Sequence, residues 1–123
     1  MNYFIIENKL PSLNEYTNAC RRNAYVGAKF KKETEEEIIG YIMLARAMKT
    51  LKKVKEYPVE LDIEWHEKTK KRDVDNIRSA VKFILDAMVT ASVIENDNRK
   101  FVSQIKDTIV NDKKDYVKVT ISE

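Results

Sequence analysis

The sequence predicts an α+β fold: one domain over residues 1–123, element order β-α-β-α-β-β, with a mixed or mostly antiparallel sheet packed by two helices. Three observations predict it. Val59, Leu61, Ile63 and Trp65 alternate with Glu60, Asp62, Glu64 and His66, the pattern of a strand with one buried and one wet face. Val117, Val119 and Ile121 repeat that spacing near the C-terminus. Between these runs, residues 34–54 and 75–90 carry apolar side chains at helical spacing. A chain of 123 residues can bury a core of its own, and it shows no repeat, low-complexity tract or linker.

The elements follow in order. Residues 3–7 are short, apolar and aromatic and read as a strand. Residues 8–30 have no clear period and hold Pro11, Gly27 and several Asn; they read as a long loop, which in a small domain is often functional. Residues 34–54 read as a helix. Glu33, Glu35, Glu36 and Glu37 crowd its start and Lys49, Lys52, Lys53 and Lys55 its end, complementing the helix dipole. Ile38, Ile42, Ala45 and Met48 give its apolar stripe, and Pro58 closes the region. The strand of residues 59–66 follows. In the helix of residues 75–90, Ile77, Ala80, Val81, Ile84, Leu85 and Met88 face the core. Residues 100–110 read as extended, 111–114 as a hairpin turn, and 116–122 as the last strand.

Composition bounds the chemistry. Charged residues make up 35% and net charge is +3, which permits a nucleic-acid partner without requiring one. One Cys and one His exclude a disulfide framework, a thiolate zinc site and a His-rich metal site. Any metal is expected on carboxylates, which suits Mg²⁺, with Mn²⁺ as a substitute; no organic cofactor is expected. The segment MNYFIIENKLP has no basic run before its short apolar stretch, so no signal peptide is read. No apolar segment approaches spanning length, so no membrane partner is expected. The expected location is cytoplasmic.

The chemistry concentrates in residues 70–100. Lys70, Lys71 and Arg72 precede Asp73 and Asp75, and a second acidic turn, Glu95-Asn96-Asp97, follows the helix. In extended backbone, residues two apart point to one side, so Asp73 and Asp75 can converge on one ion. Asp75 or Asn76 can also cap the helix, and its free N–H groups favour a phosphate. Arg78, Lys82 and Asp86 share the face opposite the apolar stripe. Lys82 is placed to reach a phosphate there. Chain return after the helix is expected to carry Asp97 back to the first two aspartates. Carboxylates beside cations suit metal-dependent phosphodiester hydrolysis.

Each residue also has a plainer explanation. Asp75 is a preferred capping residue. Arg78, Lys82 and Asp86 match a solvated face with i,i+4 pairs, and Asp97 between two Asn matches ordinary turn chemistry. His66 receives no role, Trp65 and Phe101 read as core, and Cys20 as an incidental thiol. The segment with Arg21, Arg22, Tyr25, Lys29 and Phe30 is a surface loop, or a DNA-contacting one if the site is a nuclease.

Taken together, Arg72-Asp73-Val74-Asp75-Asn76, Lys82-Phe83-Ile84-Leu85-Asp86-Ala87-Met88 and Val93-Ile94-Glu95-Asn96-Asp97 resemble the RusA family of Holliday-junction resolvases. Leu10-Pro11-Ser12-Leu13-Asn14 is similar to the family's Pro-Ser-x-Asn element. The resemblance implies a small homodimeric, Mg²⁺-dependent endodeoxyribonuclease that cuts four-way DNA junctions by paired symmetric nicks in recombination and repair, in bacteria and their prophages. It implies Asp73, Asp75 and Asp97 as catalytic metal ligands and Lys82 as the catalytic lysine. Lys70, Lys71, Arg72, Arg21, Arg22, Lys29 and Arg78 are the expected DNA contacts. Two features depart from the pattern. The helix between Asn76 and Asp86 is longer than in the best-known members, and Asn96 stands where some members carry a second acid. The competing expectation is a non-catalytic branched-DNA-binding module that keeps the fold.

Overall fold

A computed structural model describes residues 1–123. The elements are β1 (Asn2–Ile6), α1 (Leu13–Arg22), α2 (Ala24–Ala47), β2 (Val59–Glu67), α3 (Val74–Arg78), α4 (Val81–Thr90), β3 (Val102–Asn111) and β4 (Tyr116–Ser122). The expected α+β class and strand sequence are present, with a pair of helices at each place where one was expected. One mixed sheet runs in the order β1-β4-β2-β3. β4 is antiparallel to both β1 and β2, and β2 is parallel to β3.

α2 and α4 cover one face of this sheet, and α1 packs on α2 and α3. Phe4, Ile6, Leu61, Ile63, Trp65, Val117, Val119 and Ile121 are buried there against Ile38 and Ile42 of α2 and Ile84, Ala87 and Met88 of α4. Fully burying one such side chain contributes about 1.5–3 kcal/mol, so this interface outweighs the helix propensity of any single residue. The other face carries Glu60, Asp62, Glu64 and Lys118, which explains the strict alternation of β2 and β4.

Residues 8–30 hold a helical hairpin rather than the expected loop. The residues that suggested a loop are its caps and its contact. Ser12 accepts a hydrogen bond from Glu15 N, and the Glu15 side chain reaches back to Ser12 N, a capping box for α1. Asn23 ends α1 and its side chain accepts from Val26 N to start α2. A Cβ on Gly27 would lie 2.9 Å from Cys20 Sγ, so glycine there lets the two helices close on each other.

Residues 111–114 are not a hairpin turn either. β3 and β4 do not pair; β2 lies between them. The connection therefore arches over the C-terminal end of β2. Asp112 N and the Asn111 side chain both donate to Glu67 O, and Lys68 N donates to Asp115.

The helix expected to reach residue 54 ends at Ala47. Thr50 N donates to Ala45 O and Lys49 N to Arg46 O, closing the last turn around Lys49 at φ 64. That left-handed position favours glycine. Strain of about 1–2 kcal/mol, less the extra chain entropy of glycine of about 0.4–1 kcal/mol, leaves a net gain for replacement. Lys49→Gly should stabilise the fold by about 0.5–1 kcal/mol and raise the melting temperature by about 2–6 °C; thermal unfolding followed by circular dichroism checks this.

Candidate active site

The site grows from the last residue of β2. Glu67 occupies the inward phase of the strand and is 6% exposed. A buried carboxylate needs a charge partner and hydrogen bonds. Arg72 supplies both: its Nε donates to one Glu67 oxygen at 3.0 Å and its Nη2 to the other at 2.8 Å. The remaining Nη1 donates to the Leu10 carbonyl at 2.9 Å. This fork–fork geometry turns the chain sharply after β2 and ties it to the segment entering α1. Arg72, expected to touch DNA, has its guanidinium engaged inside the protein.

The turn leads directly to Asp73 and Asp75. Asp73 occupies the N-cap position of α3, which removes the expected cap from Asp75 and Asn76, but its side chain makes no capping hydrogen bond. Asp73 and Asp75 are both exposed. α3 is a five-residue turn, too short for a helix-dipole argument of any weight. Lys70 and Lys71 are exposed just before it.

The single expected helix of residues 75–90 breaks between Arg78 and Val81. Arg78 falls in α3, while Lys82 and Asp86 fall in α4. Arg78 Nε donates to Asp107 of β3 at 3.0 Å, and the other Asp107 oxygen accepts from Trp65 Nε1 at 2.8 Å. Lys82 Nζ lies 4.0 Å from Asp86, which also takes Lys31 of α2 at 3.3 Å. The hydrogen bond from Lys31 to Asp86 holds the Lys31 amine above the usual lysine range, and burial pushes the nearby Glu35 carboxyl up. Lys82 is the outer cation, its side chain 62% exposed. An exposed i,i+4 pair contributes under about 0.5 kcal/mol, so this lysine is free to turn to a phosphate.

Asp97 lies elsewhere. Asn96 accepts from Asp97 N and Asn98 N, and Asn98 O accepts from Phe101 N and Val102 N. Val102 then pairs with Val59, the first residue of β2. Asp73 comes six residues after Glu67, the last residue of β2, and is held at that end by the Arg72–Glu67 pair, so β2 separates the two acidic turns. Its nine residues span roughly 26 Å at about 3.3 Å per residue. The expected return of Asp97 to Asp73 and Asp75 does not occur within one chain: α3 and α4 carry the chain to the far end of β2 and leave it there. No three His, Cys, Asp or Glu side chains cluster in metal-holding geometry. Donor chemistry still fits a hard divalent cation, since two exposed carboxylates stand two residues apart.

Of the other expected DNA contacts, Arg21 and Arg22 end α1 and are exposed. Lys29 lies in the first half of α2, 3.9 Å from Glu33 in an exposed pair. Tyr25, Lys29 and Lys32 line a cleft there.

Two clusters escaped the sequence reading. Glu67 was legible as an acid at an inward position of β2. His66 Nδ1 lies 2.8 Å from Asp112 and Nε2 3.1 Å from Glu64, with the Tyr116 ring stacked at 3.9 Å. The Lys113 N–H and then His66 hold the Asp112 carboxyl below its ordinary range. Spacing could not reveal this cluster, Asp112 being 46 residues from His66. The clasp pins the β3–β4 arch over the end of β2.

Among known protein families, the model described as Endodeoxyribonuclease RusA matches residues 4–122. No curated protein matches the chain. No helix is long and apolar enough to cross a membrane.

The buried pair gives a stability prediction. Arg72→Met should cost about 3–5 kcal/mol by leaving Glu67 charged and unpaired in the interior. The double variant Glu67→Leu/Arg72→Met should recover most of that loss, read from urea unfolding midpoints.

Proposed function

The chain belongs to the RusA family of endodeoxyribonucleases, and we propose that it resolves four-way DNA junctions through two composite, Mg²⁺-dependent sites at a homodimer interface. The observation that carries this reading is the placement of the acidic turns at opposite ends of β2. A two-fold axis sets the same surface of two copies against each other. It can bring the Asp73–Asp75 end of one protomer to the Asp97 end of its partner, twice over. Each site then holds Asp73, Asp75 and the partner subunit's Asp97 as oxygen ligands. Such a dimer makes two sites or none, which suits paired symmetric cuts.

When bound there, Mg²⁺, or Mn²⁺ in its place, supplies charge neutralisation on the scissile phosphate and a more acidic bound water. Lys82 leaves its loose pair with Asp86 and stabilises charge developing on the phosphate oxygens. Lys70, Lys71, Arg21, Arg22 and Lys29 hold the DNA backbone, and Arg78 retains terminal N–H groups for the same purpose. These contacts give salt-sensitive affinity with little sequence information. Arg72 acts through Glu67, fixing the turn that aims Asp73 and Asp75. Recombination and repair of branched DNA in the cytoplasm, in a prophage setting, is the context this activity fits.

The test is a labelled four-way junction and a matched linear duplex, each with Mg²⁺ or EDTA. Symmetric nicks in the junction alone, dependent on Mg²⁺, are the expected result. Asp75→Asn should lower the nicking rate by at least about 100-fold, since even groups supporting a metal ligand are worth 10–100-fold. Its affinity for the junction in EDTA should stay within a few-fold of the parent. Tight junction binding by the parent protein without nicks would favour a non-catalytic binding module instead.

A further inference from the structure

The segment joining α2 to β2 holds a group of cations with no partner. Lys49, Lys52, Lys53 and Lys55 line a cleft of about 440 Å³ together with Asn2 and Glu123. All four lysines are exposed. The ion pairs of the other Lys and Arg side chains involve Lys29, Lys31, Lys32, Lys82, Arg72 and Arg78, and none of these four. The one acid in the cleft, Glu123, accepts a hydrogen bond from the Lys55 backbone N–H.

The backbone under these lysines is fixed. Leu51 and Val54 are each 2% exposed and anchor the segment in the core. The Asn2 side chain donates to Lys52 O and accepts from Lys52 N. Thr50 donates to Tyr3 O, and Val54 N donates to Val93 O, beside the acidic turn. The cations are therefore displayed in a row on a tethered strap. Lys49 itself holds the left-handed position at φ 64, where glycine would be the relaxed choice. A strained residue kept in place of a relaxed one points to use of its side chain.

We propose that this strap is a second DNA-binding surface, one that grips the phosphodiester backbone of a duplex arm next to the Asp97 turn. The row favours a polyanion over a small anion. Residues 49–55 reach at most about 20 Å, the axial length of about six base pairs at ~3.4 Å each. Lysines are point charges without a planar fork, so the contact positions an arm and reads no sequence. The inference rests on the reading of the protein as a junction-cutting enzyme, and within it the strap of one protomer flanks the site completed by its own Asp97.

The experiment measures affinity for a fluorescent four-way junction in EDTA across a KCl series. It compares the parent protein, Lys52→Gln/Lys53→Gln/Lys55→Gln, and Lys49→Gly. Removing one lysine–phosphate interaction lowers the slope of log affinity against log salt by about 0.9. The triple variant should therefore fall by roughly 2.7 in slope and Lys49→Gly by about 0.9, the latter while melting at a higher temperature. The gain in melting temperature separates a weakened grip on DNA from a weakened fold. A parent protein that binds the junction while both variants keep its slope would overturn the proposal and leave the junction-cutting reading standing. A parent protein with no junction affinity at any salt would overturn both.

Discussion

The ion pair between Glu67 and Arg72 is the constraint on which the site depends. A carboxylate and a guanidinium taken out of water each cost several kcal/mol, and the pair persists because both carboxylate oxygens and all three guanidinium nitrogens are hydrogen-bonded. Glu67 takes two bonds from Arg72, and Arg72 donates its third to Leu10 O. Around the same strand end, Asn111 and Asp112 close on the Glu67 carbonyl and His66 holds Asp112. The start of α1, the end of β2, the β3–β4 arch and the turn into α3 therefore meet at one point. Asp73 and Asp75 leave that point as free carboxylates on a fixed base. Exposed acids on a rigid turn lose little entropy when a cation arrives.

The second organising fact is the length of β2. A parallel β2–β3 pair needs a crossover, and the α3–α4 crossover runs the full strand before β3 begins beside Val59. Any chemistry that needs both acidic turns must therefore bridge the two ends of one strand. A monomer cannot do so without unfolding the crossover. The proposed two-fold dimer would do so across its interface. The proposed composite site would link nuclease activity to assembly, since a diluted monomer would hold at most two of the three proposed ligands.

Part of this was legible in the sequence. Strict period two in residues 59–66 and 116–122 located the central strands because one face of the sheet is helix-covered and the other wet. Asp-x-Asp with its cations marked the turn after β2. The hairpin of α1 and α2 was hidden because Asn23 and Gly27 look like loop residues, and only the capping box of Ser12 with Glu15 argued otherwise. The β3–β4 connection looked like a hairpin because a four-residue turn between strands usually is one; insertion of β2 between them is a long-range choice no local pattern encodes. The separation of Asp97 from the other aspartates was invisible for the same reason. Helix length fixes where a crossover ends, and the break at Ser79 carries no glycine or proline signal. Lys49, Lys52, Lys53 and Lys55 match a helix end complementing a dipole, but α2 stops at Ala47 and the lysines stand on the irregular segment that follows.

The most direct test of the composite site mixes two inactive proteins. Asp75→Asn and Asp97→Asn subunits are unfolded together, refolded to allow exchange, and assayed on a four-way junction with Mg²⁺. In a mixed dimer a site shared between subunits leaves one site with both changes and one with neither. A shared site predicts that nicking, absent in each variant alone, returns in the mixture. If each site lies within one chain, every site in the mixture carries one change and no nicking returns, which would contradict the composite arrangement.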